Sequence, residues 1–245
     1  MNAAGGREPE YAVSAEFYDL LQADGDRRAA LRRFAGPARD ARLAIVDAGA
    51  GTGIVTEVLV GAAAVPVHAV EPSAAMRAGL LARLARLGAD ERARTTVHAA
   101  TVAACGLREV ADLAVAANLV AVLEPADRRA AFRALARALV PGGVLLFDAP
   151  PPAVPEREET WRLGPVRLGA DSYCAQVTST PDRGIVRLCF AYRVERDGVL
   201  LREAREGFDL WPVAPAVLGD ELAEAGFEPV TAPDRDLVAA RRGGG

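Results

Sequence analysis

The sequence predicts an α/β fold: a doubly wound, mostly parallel seven-stranded sheet with an antiparallel β elaboration after the fifth strand. Three observations predict it. Strand-like and helix-like segments alternate from about residue 43 to 148, the pattern of parallel strands with helices on both faces. The run Ala44-Ile45-Val46-Asp47-Ala48-Gly49-Ala50-Gly51-Thr52-Gly53-Ile54-Val55-Thr56 leads an apolar strand into an acid, then into glycines at alternate positions, then into a helix. Beyond the proline-rich connector Pro150–Pro155, which neither continues a strand nor starts a helix, the periodicity becomes that of antiparallel strands.

Ahead of the sheet, Phe17–Ala35 reads as helical segments broken near Asp24-Gly25. The first strand is Leu43–Asp47, and a crossover helix from about Val55 to Ala64 leads to the second, Val67–Glu71. Ser73 N-caps a helix from about Ala74 to Leu87, stopped by Gly88. Strands follow at Thr95–Ala99, Ala111–Ala117 and Val144–Asp148. The helix before the fifth strand, Pro125–Leu139, places Ala131, Leu135 and Leu139 on one face, and Val140-Pro141-Gly142-Gly143 turns the chain into that strand. In the elaboration, Ser172–Ser179 and Ile185–Arg196 alternate about a turn at Pro181–Gly184, and Asp197-Gly198 makes a tight hairpin into Val199–Trp211. A last helix, Pro212–Ala225, stops at Gly226, and Phe227–Ala232 with Asp236–Arg241 closes the sheet.

Composition narrows the function. A chain of 245 residues with 51% hydrophobic content buries a full core. A net charge of −4 lacks the basic footprint of a nucleic-acid partner. No apolar run spans a membrane and Met1–Glu10 has no apolar signal core, so a cytoplasmic protein is expected. Cys105, Cys174 and Cys189 form no CxxC pair and read as packing thiols. His68 and His98 fall in predicted buried strands and read as core, so no metal site is expected. All 29 basic residues are arginine, which excludes Schiff-base chemistry, pyridoxal-phosphate attachment and a Walker A lysine.

The glycine turn carries the chemistry. A ligand approaches a backbone closely only where no Cβ intervenes. Dinucleotide-binding turns follow G-x-G-x-x-G and seat a diphosphate at the helix N-terminus. Here the third glycine comes one residue early and Ile54 takes the place of the last. Asp47 would repel a diphosphate but suits an ammonium group. Glu71, eighteen residues beyond Gly53 and at the tip of the second strand, is placed to accept hydrogen bonds from ribose hydroxyls. A nicotinamide-dependent oxidoreductase would share the sheet and the second acid, but Asp47 and Ile54 count against it.

The D-x-G-x-G-x-G spacing of Asp47–Gly53 resembles motif I of the class I S-adenosylmethionine-dependent methyltransferases, and Leu139–Asp148 is similar to their L-x-P-G-G-x-L-x-x-D segment. The resemblance spans about Tyr11 to Arg241. It implies a Rossmann-like core, S-adenosylmethionine as cofactor and methyl transfer to a small molecule. Residues 1–150 would hold the N-terminal helices and cofactor-binding core, 151–211 a substrate-covering elaboration, and 212–245 the closing elements.

Carried over, Gly49, Ala50, Gly51 and Gly53 approach the methionine and ribose portions, with Asp47 near the ammonium group and Glu71, followed by Pro72, at the ribose. Met76 packs beside the adenine, Asn118 contacts the methionine end, and Tyr18 belongs to a lid. Two departures stand out. Ala99-Ala100-Thr101 offers the adenine only a hydroxyl and backbone groups where relatives commonly have an acid, and Ala121 cannot be a base, so no catalytic residue is identified. Trp161 and Tyr173 are candidate substrate contacts, Phe190 and Phe208 read as core, and Arg187 and Arg193 read as solvated or paired. The elaboration is similar to that of amine methyltransferases acting on glycine or amino sugars. This favours an amine acceptor in specialised metabolism. An O-methyltransferase, a non-methylating relative and a homodimer all stay open.

Overall fold

The computed structural model describes residues 11–244; Met1–Glu10, on which the reading of the N-terminus rests, lie outside them. A long helix α1 (Ser14–Asp40) precedes β1 (Ile45–Ala48), α2 (Ile54–Ala62), β2 (Val67–Val70), α3 (Ala74–Leu84), the short α4 (Ala89–Ala93) and β3 (Thr95–His98). Then come β4 (Ala111–Ala116), α5 (Pro125–Ala138) and β5 (Leu139–Asp148). Four long strands follow, β6 (Glu159–Leu168), β7 (Asp171–Asp182), β8 (Ile185–Arg196) and β9 (Val199–Leu210), before α6 (Pro215–Glu224), β10 (Phe227–Val230) and β11 (Leu237–Arg242).

The main sheet has seven strands in the order β10-β11-β5-β4-β1-β2-β3. Its first five strands in sequence pair in parallel, and β10 and β11 run antiparallel at one end. Helices cover both faces. Ala30, Phe34, Ala35 and Ala38 of α1 join α2 against Ile45, Val67, Leu113 and Val115 on one side. On the other, Phe132 and Leu135 of α5 and Leu218 and Leu222 of α6 pack on Val46, Ala114 and Phe147. A central strand enclosed this way is buried along its whole length, and β1 is apolar except for Asp47 near its carboxyl end. The expected parallel sheet and the antiparallel elaboration are both present.

Four expectations are corrected. Helix α1 is unbroken through Asp24-Gly25 and carries Pro37 in its last turn. A glycine costs a helix interior only about 1 kcal/mol, which the buried row Phe17, Ala30, Phe34 and Ala38 outweighs. Val140–Gly143 does not precede the fifth strand but lies within it, as an irregularity between the pairs Ala111–Leu139 and Leu113–Val144. The elaboration has four strands, not three: β6 pairs with β7, with a register shift around Gly164-Pro165 that hides its alternation. Trp161 and Tyr173 therefore lie within long strands. Lastly, His68 and His98 are half-buried, their rings 3.2 Å apart (Nδ1 to Nε2), and not enclosed in the core.

The second sheet (β6-β7-β8-β9) packs its inner face on the start of α1. Phe17 stacks on Tyr192 with centroids 4.5 Å apart, and the Tyr192 hydroxyl donates to Ser14 Oγ at 2.9 Å. Val13, at the N-cap position, offers α1 no side-chain cap; instead Glu206 of β9 accepts the Ser14 N–H at 2.6 Å. A helix start leaves such N–H groups without intrahelical partners and favours negative charge, so β9 supplies what the local sequence lacks. The Trp211 N–H donates to Ala121 O at 2.7 Å and ties the end of β9 to the segment after β4. No described helix is long and apolar enough to cross a membrane.

Candidate active site

In sheet order β1 lies between β2 and β4, so the connections from β1 and β4 diverge and leave a crevice at their carboxyl ends. The glycine bend forms its floor. Gly49 and Ala50 both donate to Val70 O, at 2.9 and 3.0 Å, which ties the bend to the end of β2. Gly51 has φ +56°, and a Cβ built there meets open space: the backbone is bare toward the crevice. Gly53 answers a different need. A Cβ on it would stand 2.6 Å from Leu80 Cδ1, so it permits α3 to pack against the start of α2.

Two acids flank the bend. Glu71 is buried just past β2 and accepts the Gly51 N–H at 2.9 Å and the Ser73 N–H at 2.7 Å. Asp47 is 1% exposed, and Thr56 Oγ1 donates to it at 2.5 Å. Burial, with a smaller contribution from the charge of Glu71, pushes the Asp47 carboxyl up to about 7 against the opposing Thr56 hydrogen bond.

The other wall is α1. Tyr18, Gln22, Asp26 and Arg33 recur at helical spacing and form a polar stripe. Tyr18 Oη donates to Asp26 Oδ2 at 2.9 Å, and its hydroxyl also meets the Asn118 side chain. Asn118, just past β4, has φ +55° and donates its N–H to Asp148 Oδ2 at 2.8 Å. Asp148 in turn receives Arg33 Nη1 at 2.6 Å. Burial holds the Tyr18 hydroxyl well above its ordinary range, the Asp26 charge adding to the effect. Burial also raises Asp26. One residue along, Asp19 latches the helix to the bend, accepting from the Thr52 hydroxyl and from Arg83 Nη2 at 2.5 Å, while Arg83 Nε donates to Thr52 O at 3.0 Å.

Of the residues singled out in the sequence, Asp47, Gly49, Gly51, Glu71, Asn118 and Tyr18 converge on this crevice. Ala50 packs with Ala69, Leu80 and Leu84. Met76 is 4% exposed on α3, next to exposed Pro72 and the Ser73 cap. Ala100 and Thr101 follow β3, with the Ala100 N–H donating to His98 O. Tyr173 lies against Phe17 (centroids 6.4 Å) beneath α1, and Trp161 is 41% exposed on β6.

Comparison with known proteins decides the class. The family model of a methyltransferase domain matches residues 45–143, the bend through the start of β5. No curated protein sequence matches the chain. Among solved structures, the sugar N-methyltransferase KedS8 from a Streptoalloteichus species is 25% identical, with a TM-score of 0.72 over 100% of this chain and 97% of that one. Residues 45–143 hold a methyltransferase domain, and the chain is an S-adenosylmethionine-dependent methyltransferase. A Clostridium acetobutylicum S-adenosylmethionine-dependent methyltransferase shares the fold at 14% identity, with a TM-score of 0.72 over 96% of this chain and 99% of that one. The amino pentose methyltransferase CalS10 from Micromonospora echinaspora, bound to S-adenosylmethionine, shares it at 22% identity, with a TM-score of 0.67 over 99% of both chains.

The methyltransferase's crevice fits that cofactor: the open side of Gly51 is the space a Cβ would fill, and the Glu71 carboxylate borders it. When bound, S-adenosylmethionine supplies a methyl group already activated on a sulfonium sulfur, so the protein's task is alignment and proton handling. Alignment alone can lower a barrier by about 7–11 kcal/mol. The sequence patterns do not single out Asp19, Asp26, Arg33, Thr52 or Arg83, and they mark Asp148 only as the end of the fifth strand. The 18–22–26–33 spacing on α1 was the available signal. It is masked by reading the segment as two pieces.

Proposed function

We propose that this methyltransferase acts on the amine of a small-molecule acceptor of the amino-sugar class, in specialised metabolism. The observation that carries the reading is the end-to-end likeness to a sugar N-methyltransferase, which takes in the antiparallel sheet as well as the core. In this reading Gly49 and Gly51 admit the methionine and ribose portions of the cofactor, Glu71 takes the ribose hydroxyls, and Asp47 provides negative charge for the ammonium group. Asn118 contacts the methionine end, Met76 and Thr101 lie toward the adenine, and residues 151–211 cover the acceptor, with Trp161 and Tyr173 as its contacts.

The test is label transfer from methyl-labelled S-adenosylmethionine to a panel of methyl glycosides bearing either an amino or a hydroxyl group at the same position. Label on nitrogen is the expected result. Label confined to oxygen would make the enzyme an O-methyltransferase. Thermal stabilisation by NAD but not by S-adenosylhomocysteine would overturn the assignment of the bend.

A further inference from the structure

We propose that Tyr18 and Asp26 form a two-residue proton path that takes the proton from the acceptor's attacking atom, with Tyr18 facing the acceptor and Asp26 acting through it. The inference rests on the methyl-transfer reading above and assigns the proton step that Ala121 cannot perform.

The argument is one of position and elimination. The Tyr18 hydroxyl stands at the Asn118 side chain, at the end of β4 and beside the crevice where β1 and β4 diverge. The Asp19 latch to Thr52 holds this turn of α1 over the bend. Nearby carboxylates are committed elsewhere: Asp148 to Arg33 and the Asn118 N–H, Asp19 to Thr52 and Arg83, Glu71 to two backbone N–H groups. Asp47 lies beneath the bend with Thr56. The histidines sit on β2 and β3, and the chain has no lysine. Asp26 takes the Tyr18 O–H at 2.9 Å.

In the step, the acceptor enters as its ammonium form, one of whose N–H bonds breaks toward Tyr18 Oη as the phenolic proton passes to Asp26 Oδ2. The nitrogen keeps the electron pair with which it attacks. Tyr18 ends neutral, and Asp26 ends as a neutral acid that returns its proton to water. The groups facing Asp26 are Tyr18, Asp19 and Arg33 of α1 and Asp148 of β5; those facing Tyr18 include Tyr11 and Asn118. Burial and the charges of Asp148 and Asp19 raise Asp26 against Arg33 and the Tyr18 hydrogen bond. Its proton affinity thus moves toward the working pH, where a base is most effective. Tyr18, held well above its ordinary range, passes a proton on and does not ionise.

The decisive variant is Asp26→Asn, whose amide oxygen still accepts the Tyr18 O–H but cannot take the proton. With methyl glucosaminide as acceptor, the wild type should show kcat rising with pH along a limb set by Asp26. Asp26→Asn should lose that limb and drop kcat roughly tenfold or more, with S-adenosylhomocysteine affinity within about twofold of wild type. Tyr18→Phe should lose the same limb, and exposed Asp24→Asn should behave as wild type. Independently of any acceptor, infrared titration of the S-adenosylhomocysteine complex should show a protonated carboxyl persisting above the ordinary aspartate range that disappears in Asp26→Asn and remains in Asp47→Asn. A wild-type kcat and limb in Asp26→Asn, or no such carboxyl in the infrared titration, would overturn the path. Failure of methyl glucosaminide and the rest of the panel to accept label would count against the amine reading alone, because the infrared titration decides Asp26 without it.

Discussion

Glu71 and Gly51 are joined at 2.9 Å, carboxylate to backbone N–H, so the acid at the tip of β2 shapes the bend it is proposed to serve. The same carboxylate holds the Ser73 N–H, and with it the start of α3. Ligand recognition and loop geometry therefore share one side chain.

Replacing Glu71 by alanine should leave two N–H groups without their acceptor, at a cost of about 1–3 kcal/mol each where water cannot reach them. S-adenosylhomocysteine affinity should fall at least tenfold by isothermal titration calorimetry. Glu71→Gln, which keeps oxygen acceptance at one position, should fall between alanine and wild type.

Asp47 couples cofactor binding to pH. Its carboxyl stands at about 7 in the fold against an ordinary 3.8, so the protein without cofactor holds a proton there that the unfolded chain releases. This contribution to stability is fully present below 3.8, shrinks as pH rises from 3.8 toward 7, and is gone above that. An ammonium partner needs the ionised form, so S-adenosylhomocysteine affinity should rise as pH increases through about 7, with proton release on binding at lower pH. Titration calorimetry in buffers of different ionisation enthalpy measures that release. Asp47→Asn should abolish it and bind more weakly where the wild-type carboxyl is ionised, above about 7.

Arg128 of α5 and Glu221 of α6 form a two-point ion pair at 2.7 and 3.0 Å, with side chains 3% and 6% exposed. Removing one partner strands a buried charge. Glu221→Ala should cost about 3–5 kcal/mol in denaturant unfolding, whereas the double replacement Arg128→Met with Glu221→Leu should recover most of it.

The α1 cap is tested at Glu206. Glu206→Ala should remove about 1 kcal/mol and speed hydrogen exchange at the first turn of α1. Glu206→Gln retains an acceptor and should lose less.

Several parts of this structure were open to reading from the chain. The bend from Asp47 to Gly53, the acid at Glu71 and the Ser73 cap depend on neighbours within about one crossover, where spacing along the chain translates directly into position. The Ser73 hydroxyl does accept the Met76 N–H, at 3.4 Å. The alternation of Ile185–Arg196 is likewise present in the fold, where Val186, Tyr192 and Val194, all on one face, are buried. The break assigned at Asp24-Gly25 failed because a helix boundary there is a local preference of about 1 kcal/mol, while the burial of Phe17 and Phe34 on either side is a tertiary one.

The sequence by itself determined the order of strands and helices in the parallel core, the bare turn and the acids beside it, because these follow from side-chain periodicity and from what a backbone without Cβ permits. Only the tertiary structure decided that α1 is continuous, that β9 caps it, and that Arg33 meets Asp148 across 115 residues of chain. Those pairings depend on how a 27-residue helix lies between two sheets, and no local pattern encodes that angle.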